Sequence, residues 1–279
     1  MESVNMDKFK LSDGTFIRYT SVGEGPPLIL LHTIRNRLEY SNAVAGELKR
    51  KYSVYSLDLP GFGDSPINTR TVYSQNFFTN TIVHFINELD LEEVTLAGES
   101  IGGVLPVMIA IQIPKKIKKI YCFNPYDYDQ KFGDGIRRGN FFANFILFHV
   151  GLPLIGNLFS SLENKFILKN ILLGGFYDKS NLSDDYINLL STSTKKSGYV
   201  YHFRSVLSNF RTWTDCKQKY SSLRVPVKLI YGEYDWASPN DRLLTQTMLG
   251  LKSYITLEKC GHFSFLEKQD EVAKLILEE

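Results

Sequence analysis

Short apolar runs, each closed by glycine, proline or polar residues, alternate along this chain with longer stretches whose apolar positions carry helical spacing. Val94-Thr95-Leu96-Ala97 has the β-branched, apolar pattern of a buried strand. It leads through Gly98-Glu99-Ser100-Ile101-Gly102 into Gly103–Ile111, which is apolar and long enough for a buried helix. Lys119–Phe123, Val227–Tyr231 and Tyr254–Glu258 read as further strands, and Thr15–Thr20 as an early edge strand in an antiparallel hairpin. Phe77, Ile82, Phe85 and Ile86 mark the buried face of a helix, and Val272, Leu275 and Ile276 that of a closing helix. Such alternation predicts a mostly parallel sheet with helices on both faces.

The alternation stops between Asn124-Pro125 and the strand at Val227. Roughly a hundred residues is far beyond ordinary loop length, and the segment is helical in pattern. Phe141, Phe142, Phe145, Ile146, Phe148, Leu152, Leu154, Ile155, Leu158 and Phe159 crowd its first half. Most of these side chains are expected to pack the segment onto the core. A helix turns about 100° per residue, so some rings must face a substrate or solvent instead. Gly133, Gly135, Gly139, Gly151 and Gly156, with Pro153, divide this half into short helices.

Composition narrows the function classes. With 32 basic and 30 acidic residues among 279, the chain has no general attraction to nucleic acid. The polar start Met1–Lys8 lacks the apolar core of a signal peptide, and no stretch reaches the length of a membrane span. Cys122, Cys216 and Cys260 are odd in number and irregular in spacing, so neither a disulfide framework nor a zinc site is expected. A cytoplasmic location follows as the expectation. Cys260, two residues before His262, is close enough for a thiol reagent to disturb that histidine.

Ser100 sits in a sharp strand-to-helix turn, which lifts its hydroxyl to the sheet edge and aims the helix N-terminus at any oxyanion formed there. A serine hydroxyl is a weak nucleophile near neutral pH and needs a histidine base oriented by a carboxylate. Asp235 stands in the turn after the strand Val227–Tyr231, with Glu233 as the rival acid. His262, beside a glycine in the loop after the last strand, is the candidate base. His84 and His149 fall within helical apolar patterns, and His202 lies among aromatics of the middle segment.

With Ser100, Asp235 and His262 in this order, the chain resembles the α/β-hydrolase family over nearly its whole length. Pro27–His32 matches the family's oxyanion strand, and Ser56–Ser65 its next strand and tight turn. The resemblance implies an α/β-hydrolase fold, with a core from 1–125 and 224–279 and a helical cap from 126–223. It also implies Ser100 as nucleophile, Asp235 as acid and His262 as base, with the backbone N–H groups of Ile101 and Ile34 as oxyanion donors. Asp58 reads as a structural turn residue. Two positions depart from the pattern. Thr33 replaces the usual glycine, which leaves Thr33 and Ile34 as alternatives for the second donor, and Pro106 interrupts the helix after the elbow. Arg35 is expected to pair with Glu39 four residues on, although a cation there could also meet an acidic substrate.

The function implied is hydrolysis of a carboxylic ester of a small hydrophobic molecule through an acyl-enzyme. No cofactor, metal, nucleic acid or stable membrane insertion is expected, since Gly61-Phe62-Gly63 is an isolated pair without a dinucleotide fingerprint. Epoxide hydrolases and haloalkane dehalogenases use aspartate at the elbow. Thioesterases, lactonases, C–C bond hydrolases and acyltransferases use the same three residues. A ligand receptor with slow turnover and a non-catalytic scaffold are the readings outside the enzyme class.

Overall fold

A computed structural model describes residues 5–278 apart from 132, 151, 153–155 and 162. Gly151, Pro153, Leu154 and Ile155 of the glycine-broken segment therefore lie outside the described residues. Eight strands form one sheet: β1 (Asn5–Lys10), β2 (Phe16–Val22), β3 (Pro27–Leu31), β4 (Ser53–Leu57), β5 (Val94–Glu99), β6 (Ile117–Phe123), β7 (Val227–Gly232) and β8 (Ile255–Leu257). Their order is β1-β2-β4-β3-β5-β6-β7-β8, antiparallel through β1, β2 and β4 and parallel from β4 onward.

All six residues of β5 are buried, as expected of a central parallel strand covered on both faces. The chain leaves β3 for β4 on one side and returns to β5 on the other. This reversal opens a crevice at the carboxyl ends of β3 and β5, where open α/β sheets hold their ligands. Thr15–Thr20 is not an edge strand as expected, because β2 lies between β1 and β4. The true edge, Asn-Met-Asp-Lys-Phe-Lys, carries too little apolar alternation to announce itself, and its lysines suit an exposed edge.

Two helix pairs accompany the sheet: α1 (Asn42–Leu48) packs on the C-terminal helix Gln269–Leu277, and α2 (Gln75–Glu88) on α3 (Ile101–Gln112). Between β6 and β7 lie α4 (Asp134–Gly139), α5 (Phe141–Val150), α6 (Gly156–Ser161), α7 (Lys165–Leu173), α8 (Asp184–Ser193), α9 (Tyr199–Ser208) and α10 (Phe210–Asp215). Then α11 (Pro239–Met248) follows β7, opened by a Ser238–Asp241 capping box with Pro239 in its first turn.

The aromatic run of α5 packs only in part: Phe142 and Ile146 are half-buried against the core cluster. Ala143, Leu147 and Val150 are the buried residues, while Phe141, Phe145 and Phe148 face solvent at spacings of four and three. His149 leans on Phe145 and Phe159, and His84 on Phe9, both half-buried. Apolar contacts from other helices, such as Trp213 on Phe78, and a set of polar contacts tie the segment to the core. Lys196 Nζ donates to the carbonyls of Gly61, Gly63 and Ser65, and burial pulls its pKa down to about 8. His202 donates from Nε2 to the Pro60 carbonyl (3.1 Å) between the edges of Phe62 and Tyr73.

His32 is locked by both ring nitrogens. Nδ1 donates to the Thr33 carbonyl (2.7 Å), so Nε2 is the lone-pair nitrogen that accepts from the Leu59 amide (2.9 Å). A protonated ring would confront that amide with a second donor. Burial lowers the pKa of His32 to about 4 and that of His202 to about 3.

Two outcomes are expected. In chemical denaturation, Leu147→Ala should cost about 2–5 kcal/mol for the methylenes and the cavity left behind, whereas Phe141→Ala should stay within about 0.5 kcal/mol. The two buried histidines should remain neutral down to about pH 5, read as ring C–H resonances that do not move between pH 8 and 5. Their folded pKa values lie below the unfolded value of about 6.5, so the stability they contribute is complete above that pH and is lost as pH falls toward 4. Asp129, pushed up to about 7 by burial, acts in the opposite sense between about pH 4 and 7. The individual titrations, rather than the summed stability curve, therefore test the assignment.

Candidate active site

Ser100 separates the last residue of β5 from the first of α3 and stands at φ 62°, ψ −121°. A non-glycine residue pays a strain of order 1–3 kcal/mol in such a conformation. Hydrogen bonds hold it there: the Ser100 amide donates to the Phe123 carbonyl (3.0 Å), and its carbonyl accepts from Gly103 (2.9 Å), Val104 (3.2 Å) and Tyr126 (3.1 Å). The flanking glycines serve close approach. A Cβ on Gly98 would overlap the Gly102 carbonyl, and one on Gly102 the carbonyls of Leu31 and His32. The strained backbone belongs to the serine, and the glycines let β3, β5 and α3 meet around it.

Asp235 and His262 project from the loops after β7 and β8. Oδ1 of Asp235 contacts His262 Nδ1, and Oδ2 accepts from the Ala237 amide (2.9 Å), so the carboxylate is held on both oxygens. Both side chains are fully buried. With Nδ1 donating to Asp235, Nε2 is the free nitrogen. Trp236 stacks on the imidazole at 4.1 Å and 21°, and the Trp236 Nε1–H donates to the Gly174 carbonyl (3.0 Å). The His262 amide donates to Gly175 of the inserted segment (2.6 Å). Ser100 Oγ and His262 Nε2 are both buried, and neither has a partner among the described residues, so no hydrogen bond joins them here. Glu233, the rival acid, is exposed and accepts from the Lys259 amide (2.9 Å).

Glu99, which the sequence reading passed over, connects these pieces. Its Oε1 accepts from the Ser264 amide (2.8 Å), the Ser264 hydroxyl and Asn124 Nδ2 (3.1 Å), and its Oε2 meets the Tyr40 hydroxyl. Asn124 Nδ2 also donates to the His262 carbonyl (3.1 Å), and Asn124 Oδ1 accepts from the Gly232 amide (2.7 Å). One carboxyl thus fixes the ends of β5, β6, β7 and the His262 turn. Burial pushes Glu99 well above the usual carboxylate range against the pull of those donors, and the nearby charge of Asp235 adds to the rise. A charged residue ending an otherwise apolar strand was the available signal.

On the loop after β3, Thr33 and Ile34 are buried. The left-handed backbone falls at Arg35 (φ 60°) and not at Thr33, so a threonine in place of glycine meets no conformational penalty. The expected Arg35–Glu39 pair is absent. Arg35 precedes the short 3₁₀ turn Leu38–Ser41, so the two residues share no helical face, and Glu39 is engaged by Arg18 and Arg37. Arg35 instead reaches Glu163, 128 residues away, at 3.3 Å. Asp58 accepts from the amides of Leu38 and Asp64 (both 2.7 Å) and from Arg18 Nε (2.5 Å), consistent with a turn role. Cys260 departs from expectation: its thiol is buried and burial raises its pKa, which removes the thiolate a reagent would need.

A family model described as alpha/beta hydrolase fold matches residues 26–269. The 2-hydroxy-6-oxo-2,4-heptadienoate hydrolase of Pseudomonas putida is 22% identical, over 99% of this chain and 97% of that protein. Human epoxide hydrolase 4 is 25% identical, over 94% of this chain and 75% of that protein. The solved structure of the epoxide hydrolase CorEH superposes with a TM-score of 0.83 at 20% identity, covering 99% of this chain and 98% of the other. No helix among the described residues is long and apolar enough to cross a membrane. Sheet order, strand-to-helix elbow and matched span agree, and the chain belongs to the α/β-hydrolase family.

Proposed function

We propose that this protein is a serine hydrolase that cleaves a carboxylic ester of a small hydrophobic molecule through an acyl-enzyme. The observation that carries this reading is a strained serine with a free, buried hydroxyl, next in sequence to the Glu99 that holds the His262 turn, and an imidazole whose Nδ1 is bound to a buried aspartate and whose Nε2 is free. In this reading His262 Nε2 takes the Ser100 proton as Oγ adds to the ester carbonyl. The N–H groups of Ile101 and Ile34 receive the oxyanion, and Asp235 stabilises the imidazolium while remaining ionised. Collapse breaks the acyl–oxygen bond, and His262 returns the proton to the leaving alkoxide. A water then loses its proton to His262 and attacks the acyl carbon, the bond to Ser100 Oγ breaks to release the acid, and His262 returns the proton to Ser100 Oγ.

Among relatives, the epoxide hydrolases differ at the elbow, where aspartate is their usual nucleophile and serine stands here. The heptadienoate hydrolase favours a second reading, cleavage of a C–C bond next to a ketone by the same three residues. The inserted helices would act as a cap in either case, since they contribute Gly175 and Gly174 to the surroundings of His262 and Trp236.

Fluorophosphonate labelling and turnover of p-nitrophenyl esters test the nucleophile. Ser100→Ala should abolish labelling and lower turnover by about a millionfold; a labelled alanine variant would refute it. Asp235→Asn should cost about ten-thousandfold by imposing the wrong histidine tautomer, and Glu233→Gln far less. Faster cleavage of a vinylogous 1,5-diketone than of any ester would move the assignment to the C–C reaction. Glu99 gives a separate stability test. With its pKa raised, Glu99→Gln should retain folding and activity within about tenfold, while Glu99→Ala strands Ser264 and Asn124 donors at about 2–4 kcal/mol in urea unfolding.

A further inference from the structure

Arg35 follows Ile34 directly, so it borders the position where the proposed oxyanion would form. Its side chain is only 4% exposed, with the guanidinium 4.0 Å above the Phe203 ring. One loose contact offsets its charge, Nη2 to Glu163 at 3.3 Å, and Glu163 is itself 3% exposed and held by the Tyr199 hydroxyl at 2.8 Å. The Nε–H and Nη1–H groups have no partner among the described residues. Arg35 lines a narrow cavity between the core loops and the inserted helices, walled by Ile34, Leu168, Leu190 and Phe203. The Ser193 hydroxyl on the same cavity is also unpartnered. Glu163 does not line it.

Buried donors left unpaired are costly, and a ligand that accepts from them removes the cost. The charge balance decides which acceptor. Arg35 is already compensated by Glu163, which is not among the residues lining the cavity. A carboxylate entering this space would bring a second anion to one cation in an apolar enclosure, leaving a net buried charge. A neutral carbonyl oxygen satisfies the same N–H groups without one. We propose that Arg35 selects substrates whose acyl chain carries a neutral carbonyl acceptor, an oxo or amide group, and that Glu163 disfavours acidic chains. This rests on the ester-hydrolase reading for its kinetic test only.

The kinetic arm compares p-nitrophenyl esters of plain, oxo and ω-carboxylate acyl chains, with the oxo group at C4, C5 or C6 of otherwise matched chains. The wild-type protein should favour the oxo chain over the plain chain by at least tenfold in kcat/KM at one position, with the carboxylate poorest. Arg35→Met should collapse the oxo-to-plain ratio by tenfold or more, whatever the absolute rate. Glu163→Gln frees the guanidinium charge and should raise the carboxylate-to-oxo ratio by tenfold or more, which keeps the test alive if Arg35→Met fails to fold. A wild-type ratio near one, a wild-type preference for carboxylate, or an unchanged ratio in a folded Arg35→Met protein overturns the proposal. Calorimetric binding of heptan-2-one and heptanoate to Ser100→Ala separates the two readings. Arg35-dependent ketone binding without ester cleavage would sink only the hydrolase assignment. Ester cleavage with no Arg35-dependent discrimination would sink only this one.

Discussion

A serine held in a backbone conformation that no side chain favours is the constraint on which the rest of the structure depends. Strain at Ser100 persists only because its amide and carbonyl are each committed, to β6 on one side and to α3 and the Tyr126 loop on the other. Those commitments require β3, β5 and α3 to approach within the space of a missing Cβ, which explains Gly98 and Gly102 without reference to their own torsion angles. The strand reversal at β3 and β5 then puts the Ile34 loop beside the elbow. Strain, close packing and topology are three aspects of one local problem, and the central sheet solves it by being buried on both faces.

Around that point, buried polar groups set geometry more than they add stability. Glu99 accepts three hydrogen bonds on one oxygen and meets Tyr40 with the other. An apolar replacement would strand the buried Ser264 and Asn124 donors and remove the carboxyl that holds the His262 turn. His32 works similarly across the crevice, where its two nitrogens tie the Thr33 carbonyl to the Leu59 amide. Fully satisfied networks of this kind specify one arrangement, and their rigidity is what preorganised donors need.

Much of this was legible in the sequence where chemistry is local. The elbow needs only a strand, a helix and small residues between them, all contiguous in the chain. The order of serine, aspartate and histidine follows from strand ends, which apolar runs reveal. What escaped was set by contacts distant in sequence. Arg35 was expected to pair with Glu39 because spacing is visible and tertiary partners are not; Glu163 lies in another segment altogether. The α5 phenylalanines misled for the opposite reason. Apolar residues read as core, and the helix buries Ala143, Leu147 and Val150 instead. Periodicity alone cannot say which of two apolar faces is inward when both are present. The edge strand β1 was missed because polar edges lack the alternation that marks interior strands.

Burial of Ser100 and His262, the proposed nucleophile and base, bears on the inserted helices. Ser100 and His262 have no solvent-exposed surface, so under the proposed function a substrate would reach them only if part of the covering segment were displaced. The contacts that cross the boundary are both polar and apolar: Lys196 to three carbonyls, His202 to Pro60 and Arg35 to Glu163 stand beside the ring contacts Phe78–Trp213 and Phe176–Phe263. Polar ties of this sort exchange for water at modest net cost, in contrast to an apolar interface of equal area. Lys196 accentuates the point, because burial already pulls its pKa to about 8 and its release into water restores the hydration it lacks in the closed form. Leu168 and Phe203 wall the cavity together with Ile34 and Phe62 of the core, so opening it would also expose apolar surface. Displacement of the inserted segment is therefore opposed by apolar burial at its boundary with the core as well as by hydrogen bonds, and a ligand that held it open would have to replace both.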